Sequence, residues 1–140
     1  MSDTAGLVEG MNTHRPEIIK TLGGEVVAIG REGDTCTMHF NIDRALCHSG
    51  NIVQGGIVTA MLDAAASHAV FGLDPEVTAI ATLEIKTSFL EPALAGRFVC
   101  EGRVRKLAYK LGFMEAELFN ADGTLLATAS TTVKLQRQKA

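Results

Sequence analysis

The sequence predicts an α+β fold in which one long helix packs against a largely antiparallel β-sheet. The segment from Ile57 to Phe71 is apolar and rich in alanine, with few large polar residues on any side, which predicts a helix buried nearly all round. The segments before and after it alternate apolar and polar residues with the period of two that indicates β-strands. A chain of 140 residues with this pattern indicates one domain over 1–140.

The N-terminal part of the chain predicts two short helices followed by a β-hairpin. Residues 3–13 have an amphipathic pattern, and a second helical stretch ends at a glycine pair, so 1–22 is predicted to be an N-terminal helical segment. The hairpin follows over 25–42, with its turn at 32–34. Its second arm places four apolar side chains on one face, namely Cys36, Met38, Phe40 and Ile42.

The C-terminal half predicts four further strands. Gly72 and Pro75 end the long helix, because neither residue type continues one. The strand-like segments that follow lie at 78–90, 98–105, 111–119 and 124–135. The sequence "NADG" at 120–123 predicts the hairpin turn between the last two strands, and 136–140 is a basic tail.

Composition argues against several classes of protein. A net charge of −3 without a long basic run gives no electrostatic basis for nucleic-acid binding. Three cysteines without a CxxC pair argue against a disulfide framework or a zinc site, and the four histidines are scattered. The N-terminus lacks a signal-peptide pattern, and no apolar run approaches the ~20 residues of a membrane span. We therefore expect a cytoplasmic protein with no metal, no cofactor and no membrane or nucleic-acid partner.

Asp63 is the one acid in the predicted long helix. It lies two helical turns after Gly55 and Gly56, which stand at the helix start, where unpaired backbone N–H groups carry a partial positive charge. Such a helix start favours an anion or a developing oxyanion, and glycine lets a ligand come close. No Lys or Arg occurs between Arg44 and Lys86, so the acid has no local ion-pair partner. An unpaired acid in an apolar run indicates a catalytic role.

The segment "HSGNIVQGGIVTAMLDAA", His48–Ala65, resembles the signature of hotdog-fold thioesterases of the phenylacetate-degradation (PaaI-like) type. In that signature a polar residue, a short loop, a His-Gly-Gly or Gln-Gly-Gly step and a helical acid follow in this order. Thr87–Gly96 and Gly102–Leu135 also look like later parts of the family, so the resemblance covers roughly residues 24–135. It implies a hotdog fold, in which an antiparallel sheet wraps around one long central helix, and an enzyme that hydrolyses a small or medium acyl- or aryl-CoA.

The resemblance also assigns roles to four residues of the expected active site. Asp63 matches the acid that attacks the thioester carbonyl or activates water, and the backbone N–H of Gly55 matches the oxyanion donor. Gln54 stands where the family often has histidine; its amide donates a hydrogen bond but carries no proton. His48 stands where the family often has Asn or Gln, and its imidazole is able to orient water.

Substrate contacts are expected beside these four residues. Ser67 and Thr82 match positions where the family has hydroxyls that hold the water or the carboxylate. The phosphates of CoA need cations, and "RVRKLAYK" is the one basic cluster besides the tail. The residues expected to bind substrate are Gly56, Ser67, Thr82, Arg103, Lys106 and Lys110.

The predicted fold also implies self-association. One sheet around one helix leaves the other sheet face and the sheet edges exposed, so a second copy is expected to cover them. The sequence leaves a homodimer and a homotetramer as alternatives.

Two other functions remain open from the sequence. The first is a non-catalytic hotdog protein that binds acyl-CoA. The second is an enoyl-CoA hydratase, because Asp63 and His68 have a spacing found in hotdog hydratases, although five residues place them on different sides of a helix and the loop proline of that pattern is missing. A nucleophilic Cys47–His48 pair is disfavoured, because adjacent strand residues point to opposite faces.

Overall fold

The computed structural model describes residues 4–30 and 32–138, and the helices and strands occur in the predicted order apart from a 3₁₀ turn and two short strands before the long helix. The elements are α1 Thr4–Thr13, α2 Glu17–Thr21, β1 Glu25–Ile29, β2 Thr35–Ile42, a 3₁₀ turn at Arg44–Leu46, β3 Cys47–His48, β4 Ile52–Val53, α3 Gly55–Leu73, β5 Val77–Phe89, β6 Gly96–Leu107, β7 Leu111–Asn120 and β8 Leu125–Arg137. Residue 3 of the predicted first helix and residues 139–140 of the predicted tail lie outside the described residues.

An antiparallel six-stranded sheet wraps around α3, which confirms the predicted α+β hotdog architecture. Its strand order is β1-β2-β6-β7-β8-β5. The period-two prediction for β2 is confirmed, since its four apolar side chains are buried on the face toward α3, namely Cys36, Met38, Phe40 and Ile42. The alternation continues in β6, so the core lies between the helix and one face of the sheet.

The predicted turn between β7 and β8 is confirmed by its hydrogen bonds. The side-chain oxygen of Asn120 accepts from the backbone N–H groups of Asp122 at 2.9 Å and Thr124 at 3.0 Å. Gly123 has a φ of +85°, a conformation that glycine adopts without a steric cost. The hairpin therefore closes because its sequence supplies both an Asn that bonds its own backbone and a glycine for the left-handed position.

Helix α3 is buried on one side, so the prediction of burial nearly all round is wrong. Its buried residues face the sheet, namely Val58, Met61, Leu62, Ala64, Ala65, Ala66, Ala69 and Val70. The opposite side carries Thr59, Asp63 and Ser67, which are half-buried, and Gly56, which is exposed. The sequence does not show which side of the helix faces the sheet, because small residues occur all round it and alanine is compatible with both a buried and an exposed side.

By length and composition α3 could cross a membrane, contrary to the expectation that no apolar run is long enough. In the fold it is the core helix, because its apolar side packs on the sheet. The contact is closest at Gly102 of β6. A Cβ atom at Gly102 would overlap the carbonyl oxygen of Ala65 and lie 2.6 Å from the Ala66 nitrogen. Glycine is therefore required at this point for the helix to lie at its observed depth.

The chain also forms a short hairpin, β3–β4, that the sequence pattern did not predict. Cys47 pairs with Val53, and His48 pairs with Ile52. Strands of two residues carry no periodic signal, so the pattern could not indicate them. The hairpin leads directly into α3 and presents His48 on its surface.

The two edges of the sheet differ. Along β1, the side chain of Asn12 from α1 bonds both backbone groups of Val26, at 2.8 Å each, and so covers that edge at this residue. The outer edge of β5 pairs with no other strand in the part of the chain that the structure describes. Leu83 of β5 is 58% exposed, so this edge also presents apolar surface.

Arg137 ties the end of β8 to the end of α3 and to the β6–β7 turn. Its guanidinium lies 2.6 Å from the carboxylate of Asp74, the residue that follows α3. It also donates hydrogen bonds to the carbonyl oxygens of Tyr109 at 2.7 Å and Ala108 at 3.2 Å. The Arg137 hydrogen bond lowers the pKa of Asp74 from its ordinary value.

Candidate active site

Asp63 lies where α3 runs beside the edge strand β5. Its carboxylate oxygen Oδ1 accepts a hydrogen bond from the hydroxyl of Thr82 at 3.0 Å. Across residues 4–30 and 32–138 it forms no salt bridge. Asp63 is half-buried and Thr82 is exposed, so solvent reaches their contact.

A β-bulge lies in β5 directly after Thr82. Thr82 pairs with Val133, which is buried toward α3, and the register then shifts before Glu84. The hydroxyl of the buried Thr131 donates to the carbonyl oxygen of Glu84 at 2.8 Å and so fixes the bulge. Thr82, which was predicted to contact the substrate, therefore bonds Asp63 next to a bulge that the sequence does not show.

Two further contacts follow the same crevice between α3 and β5 toward the helix start. One turn before Asp63, the hydroxyls of Thr59 and Thr87 lie 3.0 Å apart. At the first turn, the ring of Phe89 lies 3.5 Å from where a Cβ atom of Gly55 would be. The Thr59–Thr87 pair was not predicted, although the spacing of four residues places Thr59 and Asp63 on the same face of the helix.

The start of α3 presents free backbone donors. Gln54 is its N-cap, and its side chain makes no capping hydrogen bond. Within the described ranges the N–H groups of Gly55 and Gly56 have no acceptor, as expected for the first turn of a helix. No atom lies within 4 Å of a Cβ atom at Gly56, so the approach to these donors is open. The first turn is therefore able to bind an anion or an oxyanion.

His48 lies outside this crevice on the exposed surface of the β3–β4 hairpin. Its ring nitrogen Nδ1 is 3.0 Å from the hydroxyl of Ser49. Cys47 is half-buried, and its thiol contacts the carbonyl oxygen of Asp43 at 3.8 Å rather than His48. The two neighbours therefore make separate contacts, in line with the expected absence of a Cys–His pair.

Ser67 and His68 do not join Asp63 through hydrogen bonds. The Ser67 hydroxyl is half-buried one turn beyond Asp63 and has no partner among the described residues. The Nδ1 of His68 lies 2.8 Å from the carbonyl oxygen of Ala64, and its ring packs edge-on against Phe71. Burial lowers the pKa of His68. His68 is thus held by its own helix, which does not provide the acid–imidazole pair of a hydratase.

The basic residues are not brought to Asp63 within one chain. Arg103 lines a groove of about 480 Å³ together with Lys86 and Glu115, on the sheet face turned away from α3. Lys106 and Lys110 are exposed near the β6–β7 turn.

Asp63 and the free N–H groups at the start of α3 lie at different points along the crevice. Asp63 follows Gly55 by eight residues, which is about 12 Å along a helix. A carbonyl bound at the first-turn N–H groups of one chain is therefore too far from the Asp63 of that chain to be attacked. Within the described residues there is no cluster of three or more side chains that could hold a metal ion.

Comparison with known proteins gives the family. Residues 50–127 match the sequence model of the thioesterase superfamily. A Saccharolobus solfataricus protein named as an esterase is 33% identical over 101 residues, covering 72% of this chain and 67% of that protein. A Ralstonia eutropha structure named as a thioesterase related to phenylacetic acid degradation has a TM-score of 0.81 at 28% identity, covering 91% and 98%. PaaI of the E. coli phenylacetic acid degradation operon has the same fold, with a TM-score of 0.81 at 18% identity over 99% and 96%.

The family match spans more than half of the chain and includes both α3 and β5. The half-buried acid, the free N–H groups and the bulged strand thus lie in the matched region. The chain belongs to the thioesterase superfamily, as a thioester hydrolase with the PaaI-like hotdog fold.

Proposed function

We propose that the protein hydrolyses the thioester of a small or medium acyl- or aryl-CoA, with Asp63 as base or nucleophile. The observation that supports this role is the half-buried Asp63, whose carboxylate accepts one hydrogen bond from Thr82 and has no cationic partner among the described residues. It either removes a proton from water or attacks the carbonyl carbon itself. If Asp63 is the base, the water oxygen bonds to the carbonyl carbon, the C–S bond breaks, and the CoA thiolate takes up the proton that water lost. If Asp63 is the nucleophile, the C–S bond breaks as an acyl–Asp63 anhydride forms, and a water molecule then cleaves the anhydride. This second step releases the free acid, restores the Asp63 carboxylate and supplies the proton that the CoA thiolate takes up.

The first turn of α3 supplies the oxyanion site in this proposal. The N–H of Gly55 is a preorganised donor with no acceptor among the described residues, and the exposed Gly56 leaves room for the thioester. The Gln54 amide, which makes no capping bond, adds a donor beside it. His48 orients the attacking water. Ser67, whose hydroxyl has no partner in the described part of the chain, lies one turn from Asp63 and contacts the substrate.

We further propose that each active site combines two protomers. The separation of about 12 Å between Gly55 and Asp63 along one helix supports this arrangement, because one carbonyl must reach both. A homodimer formed by pairing β5 with the β5 of a second copy would place the two α3 helices side by side and antiparallel. The open β5 edge with its exposed Leu83 supports this pairing. A homotetramer built from two such dimers stays a possible assembly.

The basic cluster is proposed to hold the phosphates of CoA. Arg103, Lys106 and Lys110 are exposed and form no salt bridge among the described residues, so their charges are available to a ligand. Because they lie away from Asp63 of their own chain, they would serve a site completed by a neighbouring protomer. Replacing all three with Gln is expected to raise KM several-fold with little change in kcat, whereas an unchanged KM would remove this part of the proposal.

The central test replaces Asp63 with Asn, which keeps the shape and removes the charge. Activity is followed as thiol release from a panel of acyl- and aryl-CoA thioesters at micromolar enzyme, and binding is measured by calorimetry. The variant is expected to fold and bind CoA thioesters but to lose turnover by ~100-fold or more, the usual contribution of a general base. Asp122→Asn, the same change in the exposed β7–β8 turn, is the matched control. Turnover near the wild-type rate in Asp63→Asn would refute the catalytic role.

The shared site has its own test. Gly55→Pro removes the proposed oxyanion N–H at the first helical position, where proline is well tolerated. Gly55→Pro and Asp63→Asn are each expected to be inactive alone. When equal amounts of the two variants are mixed and reassociate at random, about half of the dimers contain one chain of each kind. Each mixed dimer has one intact site out of two, so the mixture should recover about a quarter of wild-type activity. A mixture that stays inactive although mass spectrometry shows mixed dimers would exclude the shared site.

A further inference from the structure

Ser49 has a backbone conformation that is costly for its residue type. Its φ is +46°, and no other non-glycine residue in the described ranges has a positive φ. It is followed by Gly50 with a φ of +87°, so the turn between β3 and β4 contains two left-handed residues in a row. Glycine would adopt both without strain, so the serine at the first position calls for an explanation.

The surrounding structure holds this turn in place from both sides. Cys47 and Val53 pair across the hairpin, and the backbone N–H of Gln54 bonds the carbonyl oxygen of Leu46 at 3.1 Å. On the other side, the N–H of Val53 donates to Ala93 at 2.8 Å. The hairpin is therefore fastened both to the start of α3 and to the segment after β5. Such fastening allows a strained residue to persist.

The side chain of Ser49 has one partner, the Nδ1 of His48 at 3.0 Å. The His48 ring is otherwise exposed, so this bond selects one orientation from those that a free surface histidine would sample. With Nδ1 engaged, Nε2 is the nitrogen left to contact another molecule. The hairpin joins α3 at Gln54, two residues after the Ile52 that pairs with His48.

We propose that Ser49 is a positioning residue, which holds the imidazole of His48 so that Nε2 hydrogen-bonds the attacking water. This inference rests on the proposed hydrolysis of a thioester at Gly55 and Asp63. It explains why the turn retains a hydroxyl at a position that favours glycine. The strain at Ser49 is then the structural cost of a fixed imidazole on the hairpin that leads into α3.

The test compares Ser49→Gly with Ser49→Ala. Ser49→Gly removes both the strain and the hydroxyl, so the protein should melt at a higher temperature and yet show a kcat lowered by about tenfold or more, with KM unchanged. Ser49→Ala removes the hydroxyl and keeps the strain, so it should lower kcat to the same extent without the gain in melting temperature. A merely structural serine would not produce greater stability together with slower turnover.

A double-mutant cycle with His48→Ala shows whether Ser49 acts through the imidazole. The Ser49→Gly/His48→Ala variant should turn over no more slowly than His48→Ala alone. A wild-type kcat in Ser49→Gly, or effects of the two changes that multiply, would overturn the inference. The Asp63→Asn variant distinguishes a failure of the Ser49 inference from a failure of the proposed function. If Asp63→Asn is inactive while Ser49→Gly turns over at the wild-type rate, only the inference about Ser49 fails. If Asp63→Asn is itself active, the proposed function fails.

Discussion

Adding one methyl group at Gly102 should displace the helix that carries Asp63. The new Cβ atom would overlap the Ala65 carbonyl oxygen and lie 2.6 Å from the Ala66 nitrogen, whereas ordinary contact begins at 3.4 Å. Both obstacles are backbone atoms, so no side-chain rotation relieves the overlap. The helix must move outward by close to 1 Å, and the Asp63–Thr82 hydrogen bond of 3.0 Å lies two residues from the point of contact.

Overpacking of this kind costs about 1–3 kcal/mol, and the upper end applies here because the backbone must move. For a domain of this length, ~3 kcal/mol corresponds to a fall in Tm of roughly 6–12 °C. Because Asp63 moves with the helix, thioester hydrolysis should also slow. The expected phenotype of Gly102→Ala is thus a combined loss of stability and turnover.

Thermal and urea unfolding followed by circular dichroism measure the stability change. Gly10→Ala is the matched control, because it makes the same substitution in helix α1, where no atom lies within 4 Å of the new Cβ. It should raise stability by up to about 1 kcal/mol through helix propensity. If Gly102→Ala melted within 1 °C of wild type, the space between α3 and β6 would be large enough for a Cβ atom, and the predicted overlap would be refuted.

Two further predictions concern ionisation. Because Arg137 lowers the pKa of Asp74, their ion pair stabilises the fold above the ordinary pKa of aspartate, and this contribution is lost as the pH falls below about 4. Urea titrations should therefore show less acid sensitivity in Arg137→Gln than in wild type, and equal sensitivity would contradict the pairing. In thiol titration of the native protein Cys47 should react first, because burial raises the pKa of Cys36 to about 12 and also raises the pKa of Cys100. Rapid labelling of all three without denaturant would contradict this burial.

The sequence predicted those features of the fold that rest on periodicity. The alternation in β2 fixed which side chains face the core, and "NADG" predicted the turn with its bonding Asn120, because both signals are local. The side of α3 that faces the sheet could not be predicted, since alanine is compatible with either side of a helix. The bulge before Glu84 could not be predicted either, because it depends on the hydroxyl of Thr131, which is distant in sequence. The sequence therefore singles out Asp63 as a candidate acid, whereas its hydrogen bond with Thr82 is visible only in the fold.

The unequal edges of the sheet also limit how far copies of the chain can assemble through strand pairing. One edge is covered by Asn12 of α1, and the other, at β5, is open. Two copies that pair through β5 use up both open edges, and the doubled sheet then ends at a covered β1 on either side. In such a dimer a third copy would meet only the β1 edges, where Asn12 occupies both backbone groups of Val26. If copies pair through β5, the small helix before the sheet would therefore favour a closed dimer over an open-ended fibre.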